Sequence, residues 1–213
     1  MPMTTDNASL LLLLNWMSPT FPIGSFAYSH GLEQAIAVGR LTTQDDVQSW
    51  ITDLLQTGSG WNDAILFAQC WHSDPNELAL ALAGSAERYS ETTQLGRNFN
   101  IAASVWTGDE QRAATMAYPV AAGLACKRMN IPKDQALVAY LQGFCAALVS
   151  VAVRFVPLGQ TAGLKVLRNL ASLISTTANR AATATLNDLG SNCIAAEIAA
   201  MKHETLEPRI FRT

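Results

Sequence analysis

Three histidines, four cysteines and seventeen carboxylates are the side chains of this 213-residue sequence that could bind a metal ion or move a proton. Cys70 and His72 are two positions apart, which on a helix turns them about 200° from each other, so they cannot easily share one metal ion. His30 and Glu33 are three positions apart, so they can touch as a surface pair and need not be an acid–base dyad. These residues predict no metal site and no bound cofactor.

Sequence motifs for the common kinds of catalysis are missing. The sequence holds no G-x-S-x-G, no H-E-x-x-H, no Walker loop and no G-x-G-x-x-G. Cys70, Cys126, Cys145 and Cys193 form no C-x-x-C pair, the spacing that most zinc and redox motifs use. They fit reduced, buried thiols in a cytoplasmic protein. We therefore expect that the protein is not an enzyme.

The charge of the chain argues against nucleic-acid binding. The formal net charge is −3 and the pI is about 5.6, so the basic excess that phosphate backbones attract is missing. Residues 1–86 hold eight acids and one base, Arg40. This acidic half is open to two interpretations, a contact with a basic partner or ordinary solvated helix faces.

The segment Ser18-Pro-Thr-Phe-Pro-Ile-Gly-Ser-Phe-Ala-Tyr-Ser-His-Gly-Leu-Glu33 is a proline-stiffened loop that leads into a predicted helix. We expect one face of this helix to enter the core through Tyr28, Leu32, Ala35 and Ile36. The opposite face would hold Phe26, His30 and Glu33. Phe26 is then either tucked under the proline loop or exposed as an anchor for a partner protein.

The C-terminal segment is the second unusual feature. A helix is predicted from about Cys193 to Lys202, and beyond it Ile210 and Phe211 stand between two arginines. Short chain ends are usually disordered unless they dock, so this apolar pair predicts docking onto the same domain or onto another chain.

Helical periodicity accounts for the rest of the sequence. One helix is predicted to begin at the capping box Thr43-x-x-Asp46 and to end at Gly58. Further helices are predicted from Trp61 to Trp71, from Pro75 onward, from Tyr89 to Trp106 before the polar run Thr107–Gln111, from Pro119 to Asn130, from Pro132 to Val156, and from after Leu164 to a break at Asp188–Gly190. Residues 149–156 alternate like a strand, but without a second strand to pair with they are assigned to the helix end. We predict an all-α protein, with residues 1–213 forming a single compact helical domain of roughly eight to ten helices.

Two apolar stretches could be mistaken for membrane segments. The five leucines from Leu10 to Leu14 follow a start with no Lys or Arg, unlike a secretory signal. Ala136 to Val153 lack charge over eighteen residues but contain many alanines and polar residues, which favours a buried core helix. We expect a soluble, cytoplasmic protein with no membrane partner.

Three segments resemble, in order, the UreF family of urease accessory proteins. They are SPTFPIGSFAYSHGLE (18–33), VPLGQTAG (156–163) and AAMKHETLEPRIFR (199–212), and QLGRNF (94–99) is a weaker fourth match. The tail departs from the family pattern at Leu206-Glu-Pro208.

The resemblance implies a non-enzymatic role in assembling the nickel centre of urease. Similar proteins are all-helical homodimers that bind a UreD/UreH-type accessory protein and so recruit the UreG GTPase, which delivers nickel to the apo-urease subunits. On this basis we expect residues 204–213 to be a partner-docking tail. Because the tail holds few residues that could be core, we also expect it to add little to the fold. The expected partner-binding residues are Ser25, Phe26, Tyr28, His30, Glu33, Met201, His203, Glu204, Arg209 and Phe211.

Two alternatives stay open from the sequence. An exposed arginine, Arg97 or Arg154, could enter the active site of the GTPase and activate it. Alternatively the protein could carry nickel itself, through a weak site at a dimer seam that uses His30 or His203.

Overall fold

Helices and their connections make up the whole of the computed structural model over residues 5–108 and 115–212, the part of the chain that it describes. The α-helices are α1 (Thr5–Trp16), α2 (Leu32–Ala37), α3 (Gln44–Thr57), α4 (Ser59–Gln69), α5 (Asn76–Ala81), α6 (Ala86–Thr107), α7 (Tyr118–Arg128), α8 (Lys133–Phe155), α9 (Gly159–Thr183) and α10 (Ile194–His203). Short 3-10 turns occupy Ser25–Ala27 and Leu186–Asp188. The predicted all-α class is confirmed.

Local start and stop signals explain most helix boundaries. In α3, the Asp46 amide donates to Thr43 Oγ1 at 3.2 Å and the Thr43 amide donates to Asp46 Oδ2 at 2.8 Å, which completes the predicted capping box. The helix ends at Gly58 as predicted. At α5, Pro75 precedes the first helical residue instead of occupying it. The predicted break after Trp106 begins where α6 ends at Thr107, and residues 109–111 of that polar run lie outside the described residues.

Helix α8 lies at the centre of the molecule and packs along α9. It is helical through Phe155, so the strand-like pattern of residues 149–156 belongs to the helix end, as predicted. Its length and composition would suit a membrane span, but 50% of its apolar window is buried inside the protein.

The N-terminal helix α1 is attached to the core by an aromatic cluster. The Trp16 ring lies 5.6 Å from Phe99 and 6.3 Å from Trp106, centroid to centroid, in edge-on arrangements that favour aromatic pairs. Leucines on the other face of α1, including Leu10 and Leu14, remain exposed.

The two segments that stand out in the sequence are brought together by α10, which packs against α2 and against α6. Its observed range agrees with the predicted helix to within one residue at each end. Residues 204–212 then leave α10 without regular secondary structure and return across the loop that precedes α2.

Candidate functional site

The contact between α10 and the loop before α2 depends on Gly31. This glycine has φ +77°, and a Cβ atom on it would lie 2.8 Å from the Ala200 amide nitrogen and 3.0 Å from the Ala196 carbonyl oxygen. Only a residue without a side chain permits both the backbone conformation and this close approach. The small residues of α10 therefore lie directly on the backbone of the loop.

The predicted helix with Phe26, His30 and Glu33 on one exposed face is wrong. Helix α2 begins only at Leu32, because Gly24, His30 and Gly31 all have positive φ and interrupt any helix before it. Phe26 belongs to a separate 3-10 turn.

The three residues of that predicted face have different environments. The Phe26 side chain is 56% exposed, so it is not tucked under the proline loop. His30 points inward, with Nε2 at 2.8 Å from Glu91 Oε1. Glu33 is only 4% exposed, and its carboxylate binds His203 rather than His30. Tyr28 is buried, which agrees with its place on the predicted core stripe.

A buried charged network lies beneath the loop. Arg88 Nη2 donates to both carboxylate oxygens of Asp63 at 2.7 and 2.8 Å, and Tyr140 Oη donates to the same carboxylate at 3.2 Å. Arg88 Nη1 lies 3.2 Å from Glu91 Oε2, and His30 faces the other oxygen of Glu91. Burial alone would raise the pKa of Glu91, but the charges of His30 and Arg88 outweigh it and lower the pKa. Glu91 is therefore ionised in the core.

Two cavities meet at this network. A cavity of about 380 Å³ lies beside α10, and a smaller one of about 120 Å³ lies under the Ser25–Tyr28 turn. Asp63, Arg88 and Glu91 line both of them. The network thus separates one cavity from the other.

His203, the last residue of α10, is fully buried between two carboxylates. Its Nδ1 lies 2.8 Å from Glu87 Oε2, and its Nε2 lies 2.8 Å from Glu33 Oε2. The ring is therefore not available for direct contact with a partner. Its two nitrogen atoms are engaged within the chain, which also leaves neither free to bind a metal ion.

The tail docks onto its own domain. The amides of Ile210 and Phe211 donate to the Glu33 carboxylate at 2.8 and 2.9 Å, and Arg209 Nη1 donates to Glu87 at 2.7 Å. The buried Phe211 ring lies 5.0 Å from the ring of Phe155.

These contacts correct the expectation that the tail adds little to the fold, because removing it would expose Glu33, His203 and Phe155. Its other attachments include Glu204, which accepts a hydrogen bond from the Ala86 amide at the start of α6. The peptide bond between Glu207 and Pro208 is cis, within the part of the tail that departs from the family pattern.

The ten residues expected at a partner surface fall into three groups. Phe26, Met201, Glu204 and Arg209 are exposed, Ser25 and His30 are half-buried, and Tyr28, Glu33, His203 and Phe211 are buried. The structure thus brings the two predicted segments together, but the buried members hold the surface in place rather than forming it.

The expected partner residues did not include several other exposed apolar side chains of this region. They are Val38, Ile194 and Ile198, and Ile210 of the predicted docking pair is exposed as well. For α10 the sequence does indicate which side is exposed. The apolar stripe of this helix has small residues on the opposite side, and those small residues face the protein.

The other candidate residues are dispersed. Among the described residues, no group of three or more His, Cys, Asp or Glu side chains is arranged to hold a metal ion. His72 is exposed, whereas Cys70 is buried as a free thiol. Arg97 and Arg154, the two arginines considered for GTPase activation, are both exposed.

Comparison with known proteins identifies the family. The UreF family model matches residues 41–171, which is more than half of the chain. The protein named urease accessory protein UreF 1 from Brucella canis is 41% identical over 223 aligned residues, covering 100% of this chain and 98% of the relative. The chain belongs to the UreF family.

Two further UreF-family relatives align over nearly the whole chain. Urease accessory protein UreF from Roseobacter denitrificans is 44% identical over 218 residues, covering 99% of this chain and 96% of the relative. The protein of the same name from Dinoroseobacter shibae is 43% identical over 210 residues, covering 97% and 99%. As a UreF-family protein, the chain has an accessory role in urease maturation and is not an enzyme.

Proposed function

We propose that the protein is a non-enzymatic assembly factor that helps to insert nickel into apo-urease. It would do so as a cytoplasmic homodimer, by bridging a UreD/UreH-type scaffold protein and the UreG GTPase. Family membership supports the accessory role, and the relatives carry the name urease accessory protein. Four buried free thiols fit a reducing compartment.

The observation that carries a bridging role is the surface formed by the loop before α2, α10 and the tail. We define the candidate surface as the exposed side chains Phe26, Met201, Glu204, Arg209 and Ile210. An aromatic ring, two long apolar side chains and an arginine together have the composition of a protein interface.

Phe26 is the anchor of this surface, because an aromatic ring that is exposed in the free protein gains most from burial in a complex. The backbone next to it is tied to the tail, because the Ala27 carbonyl accepts a hydrogen bond from the Arg212 amide at 2.8 Å. The ring is therefore presented on a rigid support, which lowers the entropy lost on binding.

A two-step capture experiment tests the proposal. The purified chain would be immobilised and exposed first to the UreD/UreH-type protein and then to the UreG GTPase, with each association measured separately. We expect Phe26→Ala to weaken association by about 1–3 kcal/mol without changing the melting temperature. Leu186→Ala, a change at another exposed apolar side chain in the 3-10 turn before α10, is the matched control. Failure of the unmodified chain to retain either protein would contradict the proposal.

A further inference from the structure

One charged cluster fixes the tail to the body of the protein. We call it the tail latch and define it as Glu33, Glu87, His203 and Arg209. These residues come from α2, α6, the end of α10 and the tail. The imidazole ring of His203 stands between the two carboxylates at 2.8 Å from each, and Arg209 binds the outer oxygen of Glu87 at 2.7 Å.

The charge of the latch follows from its geometry. A carboxylate accepts hydrogen bonds and donates none, so a ring with both nitrogen atoms on carboxylates must carry two N–H groups. His203 is then the positively charged imidazolium. The cluster balances two negative charges with two positive ones, and this balance matters because His203 and Glu33 are buried.

The charged groups next to the latch make contacts of their own. Glu91, one turn along α6 from Glu87, faces His30 and Arg88. Glu204 binds the Ala86 amide. None of these contacts supplies the proton that His203 places between Glu33 and Glu87.

The tail has few other attachments. Residues 204–212 form no helix, so no regular backbone hydrogen bonds stabilise them internally. Glu33 alone accepts the amides of Ile210 and Phe211. Beyond the latch, the contacts include Phe211 on Phe155, Glu204 on the Ala86 amide and the Arg212 amide on the Ala27 carbonyl. The Arg212 side chain also donates a hydrogen bond to the Tyr28 hydroxyl.

We propose that the proton on His203 controls the docking of residues 204–212. The imidazolium holds Glu33 in place and the tail docks, whereas loss of one proton leaves a ring nitrogen lone pair facing a carboxylate at hydrogen-bond distance. Two acceptors in a buried contact repel each other, and the latch keeps an uncompensated negative charge. The tail then separates so that water can reach the carboxylates.

The direction of the pH dependence follows from proton linkage. The docked state requires the proton and the released state does not, so docking is favoured at lower pH and is lost as the pH rises. Because Glu204, Arg209 and Ile210 belong to the tail, and the Arg212 amide is bonded to the Ala27 carbonyl next to Phe26, release also dismantles the candidate surface. The inference concerns the isolated chain, so it holds or fails independently of any urease partner.

Hydrogen exchange of the full chain, read by mass spectrometry, tests the latch. Exchange times are scaled for the intrinsic pH dependence of amide exchange, and peptides from residues 204–212 are compared with peptides from α8. We expect tail protection to fall about tenfold from about pH 6 to about pH 9, while α8 stays protected. Equal tail protection at the two pH values would overturn the proposal.

The variant His203→Gln removes the titrating group, since an amide side chain cannot donate to two carboxylates in this geometry. We expect its tail to be unprotected at both pH values, whereas the matched control His72→Gln, at an exposed histidine, keeps the pH dependence. A pH-dependent tail in His203→Gln would also overturn the proposal.

Loss of α8 protection would reveal that His203→Gln fails to fold. In that case the nitrogen resonances of His203 in the unmodified chain test the proposal. Two protonated ring nitrogens while the tail is docked support the latch. A single protonated nitrogen with the tail still protected contradicts it.

Discussion

Glu33 is the buried residue that holds the tail next to the candidate surface. A single carboxylate accepts hydrogen bonds from the amides of Ile210 and Phe211 and also faces His203. These two amides and the His203 ring thus share one buried acceptor, although they lie about 170 residues or more from it in the sequence. The exposed residues keep their positions because this acceptor is charged and enclosed.

The change Glu33→Gln keeps the shape of the side chain but removes its charge and one acceptor oxygen. We expect it to lower the free energy of unfolding by about 3 kcal/mol, because His203 is left as a poorly compensated buried cation. Chemical denaturation measures this value. Glu207→Gln, at an exposed carboxylate in the same tail, is the control and should have little effect. Equal effects of the two substitutions would show that Glu33 does not hold the tail.

The burial of Glu33 could not be predicted from the local sequence. A glutamate in the first turn of a helix is a common solvated residue that favours the positive helix end. Its partners come from the other end of the chain, and nothing in the residues around Glu33 indicates them. For Phe26 the sequence left two alternatives, and its exposure excludes the tucked position, while its role as a partner anchor stays a prediction.

At the scale of elements, the packing of α10 on Gly31 predicts a strong effect of adding one methyl group. Gly31→Ala places a Cβ against the backbone of α10, whereas Gly39→Ala has a similar φ of +73° and open space around it. We expect Gly31→Ala to lower the free energy of unfolding by about 1–3 kcal/mol more than Gly39→Ala. Thermal and chemical unfolding of the two variants measure the difference. Equal losses would mean that α10 does not lie against the loop.

The start of α3 makes a specific contribution to acid sensitivity. Hydrogen bonds from the Thr42 and Thr43 amides and hydroxyls lower the pKa of Asp46 below its ordinary value, with a small opposing effect of burial. A lowered pKa in the folded state gives stability that is present above the ordinary pKa and is lost as the pH falls through the lowered one. The destabilisation caused by Asp46→Asn should therefore shrink between about pH 6 and about pH 3.

Denaturation curves at both pH values measure that change. Asp45→Asn, in the same helical turn but outside the capping box, is the control. If the loss of stability caused by Asp46→Asn stays constant or grows as the pH falls, the capping carboxylate is not the source of that loss.

Helix boundaries were predictable wherever a local signal marks them. The capping box at Thr43, the glycine after Thr57, the proline in the first turn of α7 and the proline before α8 all mark observed ends. The prediction was wrong at α2, because Gly24 and Gly31 have positive φ and the residues between them cannot continue a helix. A glycine in a sequence permits that conformation without requiring it, so the sequence alone leaves the choice open.

At the scale of the whole molecule, the fold class was predictable because apolar periodicity is local and recurs along the chain. The convergence of the loop before α2 with the tail was not predictable from periodicity. These segments are about 170 residues apart, and only the resemblance to the UreF family linked them to one function. Three-dimensional packing of α10 on α2 supplies the physical connection.

The docked tail also predicts a whole-molecule effect. Removing residues 204–213 deletes the buried Phe211 ring and uncovers Glu33 and His203. We expect the truncated chain to keep its helix signal in circular dichroism but to melt several degrees lower, in line with a loss of about 2–4 kcal/mol. An unchanged melting temperature would mean that the tail is a passive end.

Urease activation in cells is the most direct test of the proposed function. The cells would make matching urease subunits, a UreD/UreH-type scaffold and the UreG GTPase, but no UreF-family protein other than the chain or a variant of it. With nickel in the medium, we predict that the chain raises urease activity well above the background without it, that Leu186→Ala does the same, and that Phe26→Ala gives much less activity at equal protein levels. Urease activity that does not depend on the chain, or that is the same with Phe26→Ala as with the unmodified chain, would contradict the account.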